Sequence, residues 1–462
     1  MGAMANPYRV QNPTTNEIVE TFDFITDDEL ETALAKADEA YTTWRDTSFE
    51  ERAQVLHKAA SLFDAQRDEL AKIIAEEMGK ALNEGDAEVD DIVEIFNYYA
   101  DKGAELMADE PLETEGGSAV MRKVPLGVIV GVMPWNFPYY QVARFAAPTL
   151  MAGNTVLLKH AEICPRSSQK IQDILAEAGA PEGIFTNIYA THDQIASLLG
   201  DKRVQGVSLT GSERAGRSIA ATAGQNLKKA LLELGGTDPY IILDTDDVAE
   251  SAKTAWKKRI GNTGQACTAN KRIIVMEDIY DEFVAEMVRI AESFTEGDPM
   301  NPGKGQYYPL SSRDAAELLA QQVKLAVDAG ATLHTGGELT GDGAYFTPAV
   351  ITGIPVGSDS YYEEFFGPVA EIYKVSSEEE AIEVANDSNY GLGGAVFSTD
   401  EERAKKVANR IVTGMIHVNI PQARGAELPF GGVKNSGIGR ELGPLGIDEF
   451  VNRQRFYVAD EK

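Results

Sequence analysis

Between Asp27 and about Ala108, apolar side chains return every three or four residues, the spacing that lines them along one face of a helix. The pattern runs through DDELETALAKADEAYTTW, SFEERAQVLHKAASLFDAQRDELAKIIAEEMGKAL and EVDDIVEIFNYYADKGAELM. Ser48, three residues before Glu51, supplies a capping box at the start of the second stretch. Around Gly116–Gly117 the pattern changes to short strands. From Gly127 it becomes an alternation: GVIVGVMP, a helix through YYQVARFAAPTLMAG, NTVLLK, a helix through RSSQKIQDILAEAG, IFTNIYA, QGVSL, a helix from Ser212, and ALLEL. Strand and helix in strict alternation predict a parallel sheet wrapped by right-handed crossovers. After ELGG the alternation resumes with YIIL, VAESAKTAW, RIIVM and EFVAEMVRIAESF. It continues later with AVITGI, AEIYKV, EEEAIEVAN, GGAVFS, EERAKKVANRI and GMIHVN, a second α/β domain. Without an internal repeat or flexible linker, the two domains are expected to pack tightly.

Composition narrows the function more than the fold. The chain has 462 residues, more than one hydrophobic core usually supports. Its 42 basic and 73 acidic side chains leave a net charge of −31, which repels nucleic acid and anionic membrane and makes any anionic ligand depend on a local basic pocket. No apolar run reaches the ~18 residues of a membrane span. The opening MGAMANPYRV has no basic stretch followed by an apolar one, and Met-Gly-Ala before Met4 reads as an appended tripeptide, so a cytoplasmic location is expected. The two cysteines, Cys164 and Cys267, fit a reduced protein rather than a disulfide-stapled one. The five histidines are scattered singly, with no CxxC or HExxH, and no metal site is expected. By residue type alone, Cys267 in GNTGQACTANKR is either a small core residue or a nucleophile.

Order and spacing of short motifs decide between these. PWNFP (Pro134–Pro138), LLKHAE (Leu157–Glu162), SLTGSERAG (Ser208–Gly216) and LELGG (Leu232–Gly236) fall at strand ends. GNTGQAC, EEFFGPV (Glu363–Val369) and PFGGVKNSGIGRE (Pro429–Glu441) follow. Ligands of open parallel sheets bind at carboxyl ends of strands. The set resembles the NAD(P)-dependent aldehyde dehydrogenase superfamily over essentially the entire chain, and most of all its succinate-semialdehyde dehydrogenases. The resemblance implies two α/β parallel-sheet domains with a small β oligomerisation element. Residues 5–112 and 132–233 would bind the cofactor, 234–430 would form the catalytic domain, and 113–131 with 440–462 would supply oligomerisation strands of a homodimer or homotetramer.

The same resemblance makes Cys267 the nucleophile, Asn136 an oxyanion-hole donor together with the Cys267 backbone N–H, and Glu233 the base that activates water. It places NAD or NADP against Trp135, Lys159, Glu162, Gly211, Ser212, Gly216, Glu233, Leu234, Gly235, Glu364 and Phe366. Lys159 and Glu162 would hold the adenosine ribose, Glu364 the nicotinamide ribose, and Phe366 would flank the ring. The chain has no GxGxxG at its first strand–helix turn. The start of the helix after Gly211 offers free N–H groups for phosphate instead. Arg144 stands where succinate-semialdehyde dehydrogenases carry an arginine for the substrate carboxylate. Gly261 occupies the place of a second arginine found in some of them, and Arg424 is the candidate replacement. Ala269 excludes a redox disulfide with Cys267, and Cys164 is expected to be structural. The expected substrate is an aldehyde, succinic semialdehyde first and other short aliphatic or ω-carboxy aldehydes next. A cysteine acyl-transferase would need a histidine or lysine base in recognisable context, and a structural protein on this fold would not need Cys267, Glu233 and Asn136 together.

Overall fold

The protein is described by a computed structural model covering residues 7–460, so the Met-Gly-Ala tripeptide lies outside the described residues. Two antiparallel strands, β1 (Tyr8–Gln11) and β2 (Ile18–Phe22), precede four helices: α1 (Asp27–Trp44), α2 (Phe49–Ala65), α3 (Arg67–Met78) and α4 (Leu82–Leu106). The capping box at α2 is present, with Ser48 Oγ accepting from Glu51 N–H at 3.1 Å and Glu51 Oε2 accepting from Ser48 N–H at 2.8 Å. The long pattern from Ser48 is not one helix. Gln66 leaves helical geometry (φ −104, ψ 14), and Gly79 closes α3 in the left-handed region (φ 78). Periodicity hides both breaks because the apolar stripe continues across them.

β3 (Glu110–Leu112) and β4 (Gly117–Pro125) form a three-stranded antiparallel sheet with the C-terminal strand Val451–Ala459. That strand leaves Phe456, Tyr457 and Val458 about half exposed. The chain then builds β5 (Val128–Met133), α5 (Tyr140–Ala152), β6 (Thr155–His160), α6 (Pro165–Glu177), β7 (Phe185–Asn187), α7 (His192–Gly200), β8 (Val204–Thr210), α8 (Glu213–Gln225) and β9 (Lys229–Glu233). The strands lie in the order β9-β8-β5-β6-β7, all parallel, and Gly437–Ile438 adds an antiparallel edge beside β9. Strand order reverses between β5 and β8, which opens a crevice at their carboxyl ends. The expected limits 113–131 therefore cut through an element: Val128–Gly131 belong to the central strand of this sheet.

Pro239–Ile242 (β10) starts the second sheet, joined by α9 (Val248–Ile260) to β11 (Arg272–Met276). Its seven strands are Thr332–Thr335, Ala349–Thr352, Val369–Val375, β11, β10, Ala395–Phe397 and His417–Val418 in spatial order, parallel except for the first. Two helices longer than five residues were not read from the sequence, α7 and Arg313–Asp328. The first is only nine residues long. The second buries a regular stripe of Ala316, Leu319, Val323 and Ala326 in a region where strand signals are weak. Among the described residues, no helix is long and apolar enough to cross a membrane.

Candidate active site

The turn that carries Cys267 follows α9 and is held in costly geometry. Asn262 and Thr263 both adopt φ 51, a left-handed conformation worth roughly 1–3 kcal/mol of strain for a non-glycine residue. Neighbours hold it there: Asn262 N–H donates to Glu84 Oε1 at 2.8 Å, and Asn262 Nδ2 donates to the Asn136 carbonyl at 2.8 Å. Lys271, fully buried, donates to the carbonyls of Ala266 (2.7 Å) and Cys267 (3.0 Å) and pairs with Glu364 at 2.9 Å. The Cys267 thiol is pushed up to about 11 by burial, against the opposing pull of Arg144 and Lys271. Its alkylation by iodoacetamide in the free protein should therefore accelerate about tenfold per pH unit from pH 8 to 10, since the thiolate is the reacting species. Peptide mass spectrometry should find the label on Cys267 and not on Cys164, which is wholly buried with its thiol pushed up by burial. A plateau below pH 9 would contradict this electrostatic picture.

Asn136 ends the loop after β5 and reaches the same turn: its Nδ2 donates to the Gln265 carbonyl at 3.1 Å, two residues before Cys267. Glu233, at the end of β9, is buried rather than an exposed strand-end glutamate, and among the described residues neither of its carboxyl oxygens has a hydrogen-bond partner. Burial and then the like charge of Glu441 push this carboxyl well above the usual range, with Arg144 pulling the other way. The adjoining strand end touches the cysteine directly, since a Cβ on Gly236 would meet the Cys267 carbonyl at 2.7 Å. Cys267, Asn136 and Glu233 thus come from the turn after α9, the loop after β5 and the end of β9.

Arg144 is not the solvated helix arginine that its residue type suggests. It is 1% exposed, its Nε lies 2.7 Å from Glu441 Oε2, and its guanidinium stacks 4.1 Å from the Phe430 ring centroid. Its Nη1 and Nη2 are buried and, among the described residues, have no hydrogen-bond partner. Arg424 is different: its side chain is 63% exposed and sits 3.6 Å from Asp91, a pairing of the kind that contributes little energetically. At position 261 there is no side chain. Three residues earlier stands Lys258, half-buried, pushed down to about 8 by burial and donating to Gln422 in the Arg424 loop.

The crevice between β5 and β8 suits a dinucleotide. Ser212 is the exposed N-cap of α8, and Gly211 N–H is bonded to the Glu233 carbonyl at 2.9 Å. A Cβ on Gly216 would strike Leu234 Cδ1 at 2.6 Å, so only glycine lets the helix start lie this close to the strand end. The hydroxyls of Ser208 and Thr210 in the second half of β8 are buried and have no hydrogen-bond partner among the described residues. Free N–H groups at a helix start suit a pyrophosphate. At the crevice edge, Lys159 is buried and pairs with Glu162 at 2.5 Å; burial raises the Glu162 carboxyl and Lys159 more than offsets it, leaving it lowered. Across the pocket, the Trp135 and Phe366 rings meet edge to face at 5.8 Å, and Glu364 Oε1 accepts from Gly236 N–H at 3.1 Å. Trp135, Glu364, Phe366, Leu234 and Gly235 therefore lie between this crevice and Cys267.

Sequence reasoning missed Lys271, Glu441 and the acidic face of α4. Lys271 had a signal, four residues beyond Cys267, but a lysine before a strand reads first as a surface charge. The family described as the aldehyde dehydrogenase family matches residues 2–456. A Deinococcus radiodurans protein named succinate-semialdehyde dehydrogenase [NADP(+)] is 46% identical, covering 97% of this chain and 94% of its own. A crystal structure of succinic semialdehyde dehydrogenase from Streptococcus pyogenes in complex with NADP+ superposes with TM-score 0.95 at 48% identity, covering 98% of this chain and all of that one. Betaine aldehyde dehydrogenase from Staphylococcus aureus in complex with NAD+ superposes with TM-score 0.94 at 31% identity, covering 98% and 92%. A single cysteine turn, an amide after the first parallel strand and a buried carboxyl after the last, set on this two-sheet frame and matched along nearly its entire length, show that the chain belongs to the aldehyde dehydrogenase family.

Proposed function

We propose that this enzyme oxidises a short aldehyde bearing a remote carboxylate, with succinic semialdehyde as the best substrate, to the corresponding diacid. The observation that carries the substrate is Arg144. Two guanidinium N–H groups buried without partners leave desolvation uncompensated, and a carboxylate can take both at once in the bidentate geometry that arginine favours. Glu441 neutralises the opposite edge, so the arginine is held in place without being saturated. The names of the Deinococcus and Streptococcus relatives support the same substrate.

The chemistry follows from residue types. The Cys267 thiol gives up its proton to water and attacks as the thiolate, forming a sulfur–carbon bond as the carbonyl electron pair moves onto oxygen, which converts the aldehyde carbon from trigonal to tetrahedral. Asn136 Nδ2 and the Cys267 N–H stabilise the oxyanion, a donor typically worth ~10²–10³ in rate. A bound NAD(P)+ supplies the hydride acceptor. The Cys267 thioester that remains is hydrolysed by water that Glu233 deprotonates. Candidate cofactor contacts are Ser212 and the α8 start for the pyrophosphate, and Lys159 and Glu162 for the adenosine ribose. Because Lys159 already neutralises Glu162, both NAD and NADP are proposed acceptors, and NADP is the one named for the most similar relatives cited. Two free thiols support a reducing, cytoplasmic setting. The half-exposed apolar strand Val451–Ala459 supports a homodimer or homotetramer.

Arg144→Ala tests the substrate. Losing a desolvated charge-assisted pair should lower kcat/KM for succinic semialdehyde by roughly 2–4 kcal/mol. The variant also strips Glu441 of its partner and disturbs Glu233, so the decisive quantity is a ratio. The preference for succinic semialdehyde over butanal, measured by NAD(P)H absorbance, should fall by about 30-fold or more. Arg424→Ala should lower it far less. Equal losses for both aldehydes would confine Arg144 to the support of Glu441 and leave the substrate an aldehyde of another kind.

A further inference from the structure

One face of α4 reaches the cysteine turn, the loop that carries Asn136 and the loop that carries Arg424. Glu84, Glu88, Asp91 and Glu94 recur at four- and three-residue spacing. Glu84 accepts from Asn262 N–H in the cysteine turn, Asp91 faces Arg424, and Glu94 accepts from Ala426 N–H at 3.1 Å. The innermost part of this face is an ion pair with no solvent access. Lys80, between α3 and α4, pairs with Glu88, and both side chains are 0% exposed. Glu88 uses its other oxygen to accept from the N–H groups of Tyr139 (2.8 Å) and Tyr140 (3.0 Å), which closes the start of α5. Lys80 Nζ donates to the Asn136 carbonyl at 2.8 Å and lies 3.7 Å from the Phe137 ring centroid.

Resting on the reading of Asn136 as the oxyanion donor, we propose that Lys80 is a positioning residue for the known reaction: with Glu88 it fixes the backbone of Asn136, and thereby aims the amide at the oxyanion beside Cys267. The Asn136 carbonyl has two donors, Lys80 Nζ from one side and Asn262 Nδ2 from the other. Asn262 belongs to the cysteine turn, so this carbonyl is the joint through which the donor loop and the nucleophile turn are held in register. An unpaired lysine or glutamate here would be strongly unfavourable, so the pair persists only as a unit. Removing the ammonium frees the carbonyl and leaves the loop to Asn262 alone. A misplacement of about 1 Å in a reacting group costs on the order of 10²-fold.

The test is a double-mutant cycle with Asn136. Lys80→Met keeps the length of the side chain and removes its charge. It should lower kcat by about 10- to 100-fold, with aldehyde KM and NAD(P)+ Kd changed by less than about threefold. Asn136→Ala should lose about 10²–10³, and adding Lys80→Met to it should change kcat by less than about threefold, because a positioning residue has nothing left to position. Glu88→Gln, which keeps the bonds to Tyr139 and Tyr140, should show a smaller loss that also vanishes on the Asn136→Ala background. It serves as the readout if Lys80→Met does not fold. Multiplicative losses in the double variant, or a loss that falls on KM and cofactor Kd, would overturn the role of Lys80 while leaving the oxyanion hole standing. Full activity in Asn136→Ala would remove the oxyanion hole and the positioning role with it.

Discussion

Replacing Cys267 by alanine is expected to abolish aldehyde turnover, with kcat falling on the order of 10⁴-fold or more. No other group in the pocket can form the covalent intermediate, and deleting a nucleophile removes the chemical step rather than weakening it. The cofactor should bind the variant with nearly unchanged Kd. Its candidate contacts are the start of α8, Lys159 with Glu162, and the Trp135–Phe366 pair, none of which depends on the thiol. The turn itself should survive, because Lys271 grips the carbonyls of Ala266 and Cys267 and not the sulfur. Calorimetric titration with NAD+ or NADP+ and an absorbance assay measure the two properties separately. Turnover near the native rate would end the covalent mechanism.

Glu233→Gln should fail at a different point. The thioester should still form, giving a burst of about one NAD(P)H per active site, and should then hydrolyse slowly, because the amide cannot take a proton from water. In the native enzyme, burial and Glu441 hold the Glu233 carboxyl well above its ordinary range. A base raised in this way is active only when deprotonated, so native deacylation should go on speeding up as pH rises beyond the ordinary carboxyl range. The variant should lose that dependence. Stopped-flow absorbance gives burst and steady state together. Unchanged steady turnover without a burst would take Glu233 out of deacylation.

Much of this architecture is legible along the chain because local rules govern it. Strict strand–helix alternation from Gly127 could close only as a parallel sheet, and the motifs at strand ends could gather only at the carboxyl edge of that sheet. Cys267, Asn136 and Glu233 could be singled out because each sits in a short motif at a strand end or turn. The breaks at Gln66 and Gly79 and the helix Arg313–Asp328 were less visible, since an apolar stripe does not report where a helix stops.

Which charges are buried was decided only by the tertiary structure. Lys80, Arg144, Lys271, Glu88 and Glu441 read individually as ordinary surface residues, and each is enclosed because a partner distant in the chain offsets its desolvation: Glu88 for Lys80, Glu441 for Arg144, Glu364 for Lys271. Hydrophobic period and turn chemistry are properties of neighbours within a few residues, and the sequence by itself determined the two-sheet frame and the strand-end motifs. Burial of a charge depends on what the fold brings to within about 3 Å of it, so the contacts that enclose Lys80, Arg144 and Lys271 came into existence only when helices, sheets and loops had packed.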